Sequence, residues 1–542
     1  MSVRSLDGNL VDVVDNKIYP ARVTMDGGKI TAVEKLTTEV SGFLLPGFID
    51  AHVHIDSSQL CPSRFAEAAV PHGTTAVVTD PHEMANVLGM EGIEYMVQDA
   101  KGVPLRINFT APSCVPASPF EGNGATLGSK EVDALLRRKE FVGLGEMMDY
   151  PAVIRGDKEA IAKIKAAREN WKPVDGHCPG LTGPDLVRYI NAGINTEHES
   201  TTADEAEEKY RLGMWIMVRE SAAERNLRDL MPFARANECF LVTDDIQAAE
   251  LCQGHLDAVL RKAVLMGMAP IHAIRAVTAW PAWHYYLPGG SIAVGRTADV
   301  VIVDDLREFH VREVYIGGEL VAKDGKALFE PKPLRREGGI MKQDRQAAEL
   351  CINHPGPKAR VRVIGIIPGA IESKGLEAEL DVIEGAVRAS LDKDVLLMAV
   401  VSRYREAKPA LAFVKGMGLR SGAIASTVAH DSHNIIAVGT SAAELAKAIN
   451  RVSEKGGYYI SDGQREETLE LDVCGLMSTS PAAEVAAAEE RIHALARDMG
   501  CSLVAPLQTL AFQGLLVIPE LKLSDRGLFD SRRMEFVNVV VS

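Results

Sequence analysis

A chain of 542 residues with 46% hydrophobic and 25% charged residues has the composition of a globular protein, with room for roughly two to four domains. Its formal net charge of -15 excludes nucleic acid and an anionic membrane surface as the main partner, because both require clustered Lys and Arg. Eight scattered cysteines with no CxxC pair fit reduced thiols, the N-terminus lacks the apolar core of a signal peptide, and no apolar run reaches the roughly 18 residues of a membrane span, so a cytoplasmic protein is expected.

In chain order, residues 9–45 show short apolar runs broken by turns such as Asp26-Gly27-Gly28, which predicts small antiparallel β-structure. A different rhythm follows. Eight short apolar runs end in polar residues: FLLPGFIDAHVH, TAVVTDPHE, LRINFTAPSC, FVGLGEMM, PVDGHCPG, INTEHES, WIMVRES and CFLVTDD. Stretches with helical spacing, such as SKEVDALLRRKE and DKEAIAKIKAAREN, lie between them. Eight βα units in series predict a (β/α)8, TIM-like barrel over 46–285, whose chemistry belongs at the C-terminal ends of its strands. Residues 286–330 return to short strands and Gly-rich turns. With 1–45 they are expected to form a small β-sandwich module. A basic, Pro-containing linker at about 331–345 leads to 346–542, read as a C-terminal α/β domain.

The predicted strand ends carry His52, His54, Asp80, His82, Glu83, Glu146, His177, His198, Glu199, Glu220, Asp244 and Asp245. Residues i and i+2 of a strand share a face, so His52 and His54 can reach one metal ion. An isolated HxH is weak evidence, but His177 ends strand five, His198 strand six and Asp244 strand eight. Imidazoles with a carboxylate suit Zn, Mn or Fe without any thiolate. Glu146 ends strand four, where a carboxylate is placed to bridge two metals. The alternative for it is a helix-capping or ion-paired glutamate. Two metals can share a hydroxide and bring the pKa of water toward neutrality.

The run PGFIDAHVHIDSS, with the histidines of strands five and six and the aspartate of strand eight, resembles the amidohydrolase superfamily. The runs TDPHEMANVLG, GEMMDYPAVI, GHCPGLTG, EHESTT, LVTDD, VAHDSHNIIAVGT and IPELKLSDRGLFD are similar to its aminopurine-deaminating branch. Many superfamily members carry a carboxylated lysine on strand four; this chain has Glu146. The resemblance implies a binuclear centre of divalent transition metals, Mn first, with Fe or Zn as alternatives. It assigns His52, His54, Glu146, His177, His198 and Asp244 as ligands. Asp244 doubles as the proton-transfer residue, with Asp245 its immediate rival, and Glu146 joins it in catalysis. Asp56, Ser57, His82, Glu83, His430 and His433 are candidate contacts to a small purine, and the HDSH run 430–433 could alternatively bind a further metal. No nucleic acid or membrane partner is expected; a homo-oligomer is, with a dimer favoured. Departures from the branch's pattern at Asp56, Asp149, Gln508 and Gln513 bear on the purine pocket rather than on the ligands. Two other readings compete: an amidohydrolase acting on a related aminopurine, cyclic amide or N-acyl substrate, and a non-catalytic binding protein on a barrel scaffold.

Overall fold

The computed structural model describes residues 3–221 and 225–541. Two compact units emerge, and neither is continuous in sequence. The first comprises the chain up to His82, Glu94–Cys114 and Leu127–Leu334. The second comprises Glu83–Ile93, Val115–Thr126 and the chain from Arg335 onward.

In the first unit, β1 (Arg4–Asp12), β2 (Lys17–Asp26), β3 (Lys29–Lys35) and β4 (Phe43–Pro46) precede eight parallel strands. These are β5 (Phe48–Val53), β6 (Thr74–Thr79), β7 (Arg106–Ala111), β8 (Phe141–Met147), β9 (Val174–Gly176), β10 (Thr196–Glu197), β11 (Trp215–Arg219) and β12 (Phe240–Val242). β5 to β9 pair in sequence order, as do β10 to β12. The two sheets join where Asn195 N–H donates to Val174 O at 2.8 Å. The ring closes by a parallel bridge between Val53 and Asp244, in which Asp244 N–H donates to His52 O (3.0 Å) and His54 N–H to Asp244 O (3.1 Å). Every residue of β5 and β6 is buried, as parallel strands covered on both faces require. The arrangement is an α/β, TIM-like fold.

Helices separate the strands. Lys158–Glu169, for example, is capped by Asp157, whose carboxylate accepts from Glu159 N and Ala160 N at 3.0 Å. After the ring come β13 (Val300–Val303), β14 (Val311–Ile316), β15 (Glu319–Lys323) and β16 (Lys326–Ala327). They join β1–β4 in one eight-stranded sheet, ordered β16-β15-β14-β13-β4-β1-β2-β3. Segments nearly 300 residues apart thus share one core of Leu10, Val23, Ile30, Leu44, Val300 and Tyr315.

The second unit centres on a nine-stranded sheet that includes Lys358–Ile366, Val395–Val401, Ala410–Lys415 and Ile435–Gly439. Helix Ala442–Lys455 lies on it. Ser441 caps this helix, and Leu445, Ile449 and Val452, at helical spacing, pack into a core with Leu397, Ala399 and Ala437. Among the described residues, no helix is long and apolar enough to cross a membrane.

Candidate active site

The C-terminal ends of the ring strands place a buried cluster in the first unit. His52 and His54 flank Val53, and their Nε2 atoms each lie 3.2 Å from Asp244 Oδ1. Asp244 itself sits at φ +61°, an uncommon conformation for a non-glycine residue, and its backbone is pinned to the β5 end by the two ring-closing bonds. Glu146 divides its two oxygens. Oε1 faces His54 Nε2 at 3.3 Å, while Oε2 faces His177 Nδ1 at 2.8 Å and His198 Nε2 at 3.1 Å. The rings of His52 and His198 stack with centroids 4.2 Å apart.

The donor set fits metal ions. His177 Nδ1 and His198 Nε2 stand 3.3 Å apart, aimed at the same carboxylate oxygen. Ligand atoms about 3 Å from one another are what bonds of about 2.1 Å at right angles produce. His52 Nε2 is buried with no hydrogen-bond partner. His54 Nδ1 lies 3.2 Å from Asp80 O, which can only accept, so Nδ1 carries the proton and Nε2 keeps its lone pair for a metal. His52, His54 and Asp244 form one candidate ion-holding group. His52, Glu146 and His198 form another, and His177, His198 and Glu199 a third. Glu146 therefore stands between two halves of the cluster.

Electrostatics agree with this arrangement. Burial alone pushes the Asp244 carboxyl up, but the imidazoles of His52 and His54 beside it and the Arg219 guanidinium hold it well below the ordinary range. Burial of Glu146 is likewise overcome by His177, His198 and His54. Both carboxylates are ionised and available to cations.

All six residues expected as ligands are brought together. Asp245, the rival of Asp244, is only partly buried and has no place in this cluster's contacts. His82 lies beside the cluster, its Nδ1 3.6 Å from Asp80 Oδ2 and 3.7 Å from Glu146 Oε1. Asp56 and Ser57 fall on the short turn Asp56–Ser58 just beyond β5, and Ser57 Oγ is buried without a hydrogen-bond partner.

Glu83, His430 and His433 form a separate cluster within the second unit. Both imidazoles clamp the Glu83 carboxylate, His430 through Nδ1 and His433 through Nε2. Ala429 N–H donates to His433 Nδ1 at 3.1 Å, so the neutral ring carries its proton on Nε2 and donates it to Glu83. Burial favours that neutral form. The three atoms lie close enough to hold an ion, but coordination through Nε2 requires the Ala429 bond to be given up.

Three of the four departures, Asp149, Gln508 and Gln513, make structural contacts. Asp149 caps helix Tyr150–Arg155 by accepting from Ala152 N at 3.0 Å. Gln508 donates to Glu489 Oε1 and Gln513 to Thr509 O.

Two residues near the cluster escaped sequence reasoning. Arg219, at the end of β11, contacts both Glu199 and Asp244. Lys209 is fully buried against Glu197. The signal for Arg219 was its place at a strand end, but an arginine offers no lone pair to a metal and drew no notice beside the carboxylates.

A parallel strand ring with imidazoles and carboxylates converging at one end is matched by the profile of the Amidohydrolase family over residues 43–321. The chain is a member of that family. A second profile, the Adenine deaminase C-terminal domain, matches 370–535. The chain is 46% identical over 543 residues to an adenine deaminase of Methanothermobacter thermautotrophicus, covering 99% of both chains. It is 43% identical to an adenine deaminase of Methanosphaera stadtmanae, again over 99% of both. Within the amidohydrolases it therefore belongs to the adenine deaminase family. Among solved structures, dihydropyrimidinase from Brevibacillus agri aligns with 60% of this chain and 96% of its own, at 16% identity and a TM-score of 0.46.

Proposed function

We infer that the protein hydrolyses adenine to hypoxanthine and ammonia. The observation that carries this reading is Glu146. Its two oxygens face His54 on one side and His177 with His198 on the other, in a chain 46% identical to an adenine deaminase from end to end.

His52, His54 and Asp244 are the residues to hold one divalent ion, and His177 and His198 the other, with Glu146 shared between them. Mn is the expected ion, with Fe or Zn as alternatives. When bound, the pair supplies Lewis acidity and lowers the pKa of water toward neutrality. Asp244 presents Oδ1 to the histidines and is placed to take the proton of a water that attacks C6 of the purine. It then delivers that proton to the departing amino group. The water oxygen bonds to C6 as the C6=N1 electron pair moves onto N1; that pair returns as the bond to the amino group breaks, and with the second water proton moved from oxygen to N1 the products are ammonia and the 6-oxo purine. His82, with Asp56 and Ser57 on the turn after β5, is the first set of side chains assigned to the purine. We place the reaction in cytoplasmic purine salvage, carried out by a homodimer.

The test is direct. Apoprotein reloaded with Mn, Fe(II) or Zn is given adenine and a panel of aminopurines, and ammonia release is measured. Turnover of adenine above the other purines is expected. No release with any of the metals sinks the reading.

A further inference from the structure

Arg219 ends β11 with its guanidinium buried, and it does two things at once. Nη1 donates to Asp244 Oδ2 at 2.9 Å. Nη1 and Nη2 also grip Glu199, at 2.6 Å to Oε1 and 3.1 Å to Oε2. A two-pronged grip of this kind fixes the plane of the guanidinium as well as its position. Glu199 in turn stands 3.4 Å from His198 Nε2 and 3.6 Å from His177 Nδ1. One cation therefore ties the carboxylate at one end of the cluster to a carboxylate at the other.

The consequence concerns Asp244. Its backbone is pinned on both sides by the β5 end, so rotation of its own side chain is the freedom that remains. The terminal torsion of an aspartate is broad and does not by itself select which oxygen faces a neighbour. Arg219 makes that selection, holding Oδ2 and leaving Oδ1 for His52 and His54. We propose that Arg219, itself oriented by Glu199, is a positioning residue that makes Asp244 present a single oxygen to the metal-binding cluster. Lysine cannot replace it: one ammonium cannot offer two parallel N–H groups to Glu199 and a third contact to Asp244 in a fixed plane. The inference rests on the reading of Asp244 as ligand and proton carrier.

The test uses the full-length protein and the variants Arg219→Gln, Arg219→Lys and Glu199→Gln, with metal content measured for each. Arg219→Gln is expected to keep its metals and the KM for adenine while kcat falls about 100-fold, the scale on which a misplaced group costs rate. Arg219→Lys should recover only part of that loss, and Glu199→Gln should lower kcat less than Arg219→Gln. A second readout does not depend on turnover. Loaded with Co(II), wild type and Arg219→Gln should differ in their visible absorption bands, because a freed Asp244 offers both oxygens and raises the coordination number. Identical Co(II) spectra overturn the proposal, as do an unchanged kcat in Arg219→Gln or full activity in Arg219→Lys. Loss of metal from both Arg219 variants also overturns it, in favour of a scaffold role. A wild-type protein that leaves adenine untouched defeats the functional reading instead, while the Co(II) comparison still decides the role of Arg219.

Discussion

Replacing Lys209 by Met should cost the first unit about 3–5 kcal/mol, the range measured when one partner of a buried ion pair is removed. Lys209 and Glu197 are both fully buried, with Nζ 3.1 Å from Glu197 Oε1. At that distance and an effective dielectric constant of about 20, the Coulomb attraction is ~5 kcal/mol. Nζ also donates to Glu205 Oε1 at 2.7 Å and to Cys178 O at 2.8 Å, so methionine orphans a carbonyl as well as a charge. Glu197 retains Cys178 N, Cys178 Sγ and Ser200 Oγ as donors, each at 3.1 Å, and these soften the loss without cancelling it. At about 2–3 °C per kcal/mol for a unit of this size, the melting transition should fall by roughly 6–15 °C in differential scanning calorimetry. The pair also sits directly behind two of the proposed ligands: Cys178 follows His177 and Glu197 precedes His198. Loss of stability should therefore come with weaker metal retention in dialysis against chelator. The double variant Lys209→Met, Glu197→Gln removes the uncompensated charge and should regain most of the lost stability. A single variant that melts within about 2 °C of the parent, or a double variant no better than the single, refutes an electrostatic origin.

Glu146→Gln should lower metal affinity, followed by equilibrium dialysis and elemental analysis, by more than the about 10–100-fold that outer-shell changes cost, and turnover should fall with it. Gly145→Ala tests the crowding beside it. A Cβ there would lie 2.1 Å from Asp80 Oδ2, so the variant should lose about 1–3 kcal/mol in thermal melts and displace the strand end that carries Glu146. Glu121 gives a pH signature in the second unit. Burial pushes its carboxyl up to about 8, although Ser432 Oγ donates to it at 2.6 Å. A carboxyl whose pKa is higher in the folded protein than in the unfolded chain loses stability as pH rises from the unfolded value toward about 8. Glu121→Gln, which keeps an acceptor for Ser432, should therefore match wild type near pH 4.5 and exceed it by a few kcal/mol at pH 8. A gap between the two melting temperatures that does not change with pH contradicts that assignment.

The convergence of these imidazoles and carboxylates was legible because the residues obey a local rule. Each lies at or just past the end of a short apolar run, and in a parallel ring all such positions face one end. His52 and His54 added the two-residue period of a strand. The choice of Asp244 over Asp245 was not legible, since both follow the same run. In space it is the Asp244 carboxylate that meets the histidines, on a left-handed backbone that closes the ring against Val53. Arg219 was invisible for another reason: its meaning lies in two carboxylates 20 and 25 residues away, and pairing at that distance leaves no periodicity in the chain. The eight short apolar runs announced the ring, but the partnership of β1–β4 with β13–β16 rests on composition alone at the level of sequence. The sheet that joins them is a fact of register, with Leu44 opposite Ile302 and Leu45 opposite Val301.

The segments 83–93 and 115–126 belong to the second unit although they are encoded among the ring strands. Gly122 N–H needs Asp525, Asn434 needs Gly122 O, and His430 with His433 need Glu83. The partners of these two stretches, at 430, 433, 434 and 525, lie roughly 300 to 400 residues further along the chain. A gene fragment starting at Arg335 would code for a sheet stripped of those partners. A cut at that apparent boundary would then leave both halves incomplete, the first carrying two segments whose partners lie in the second.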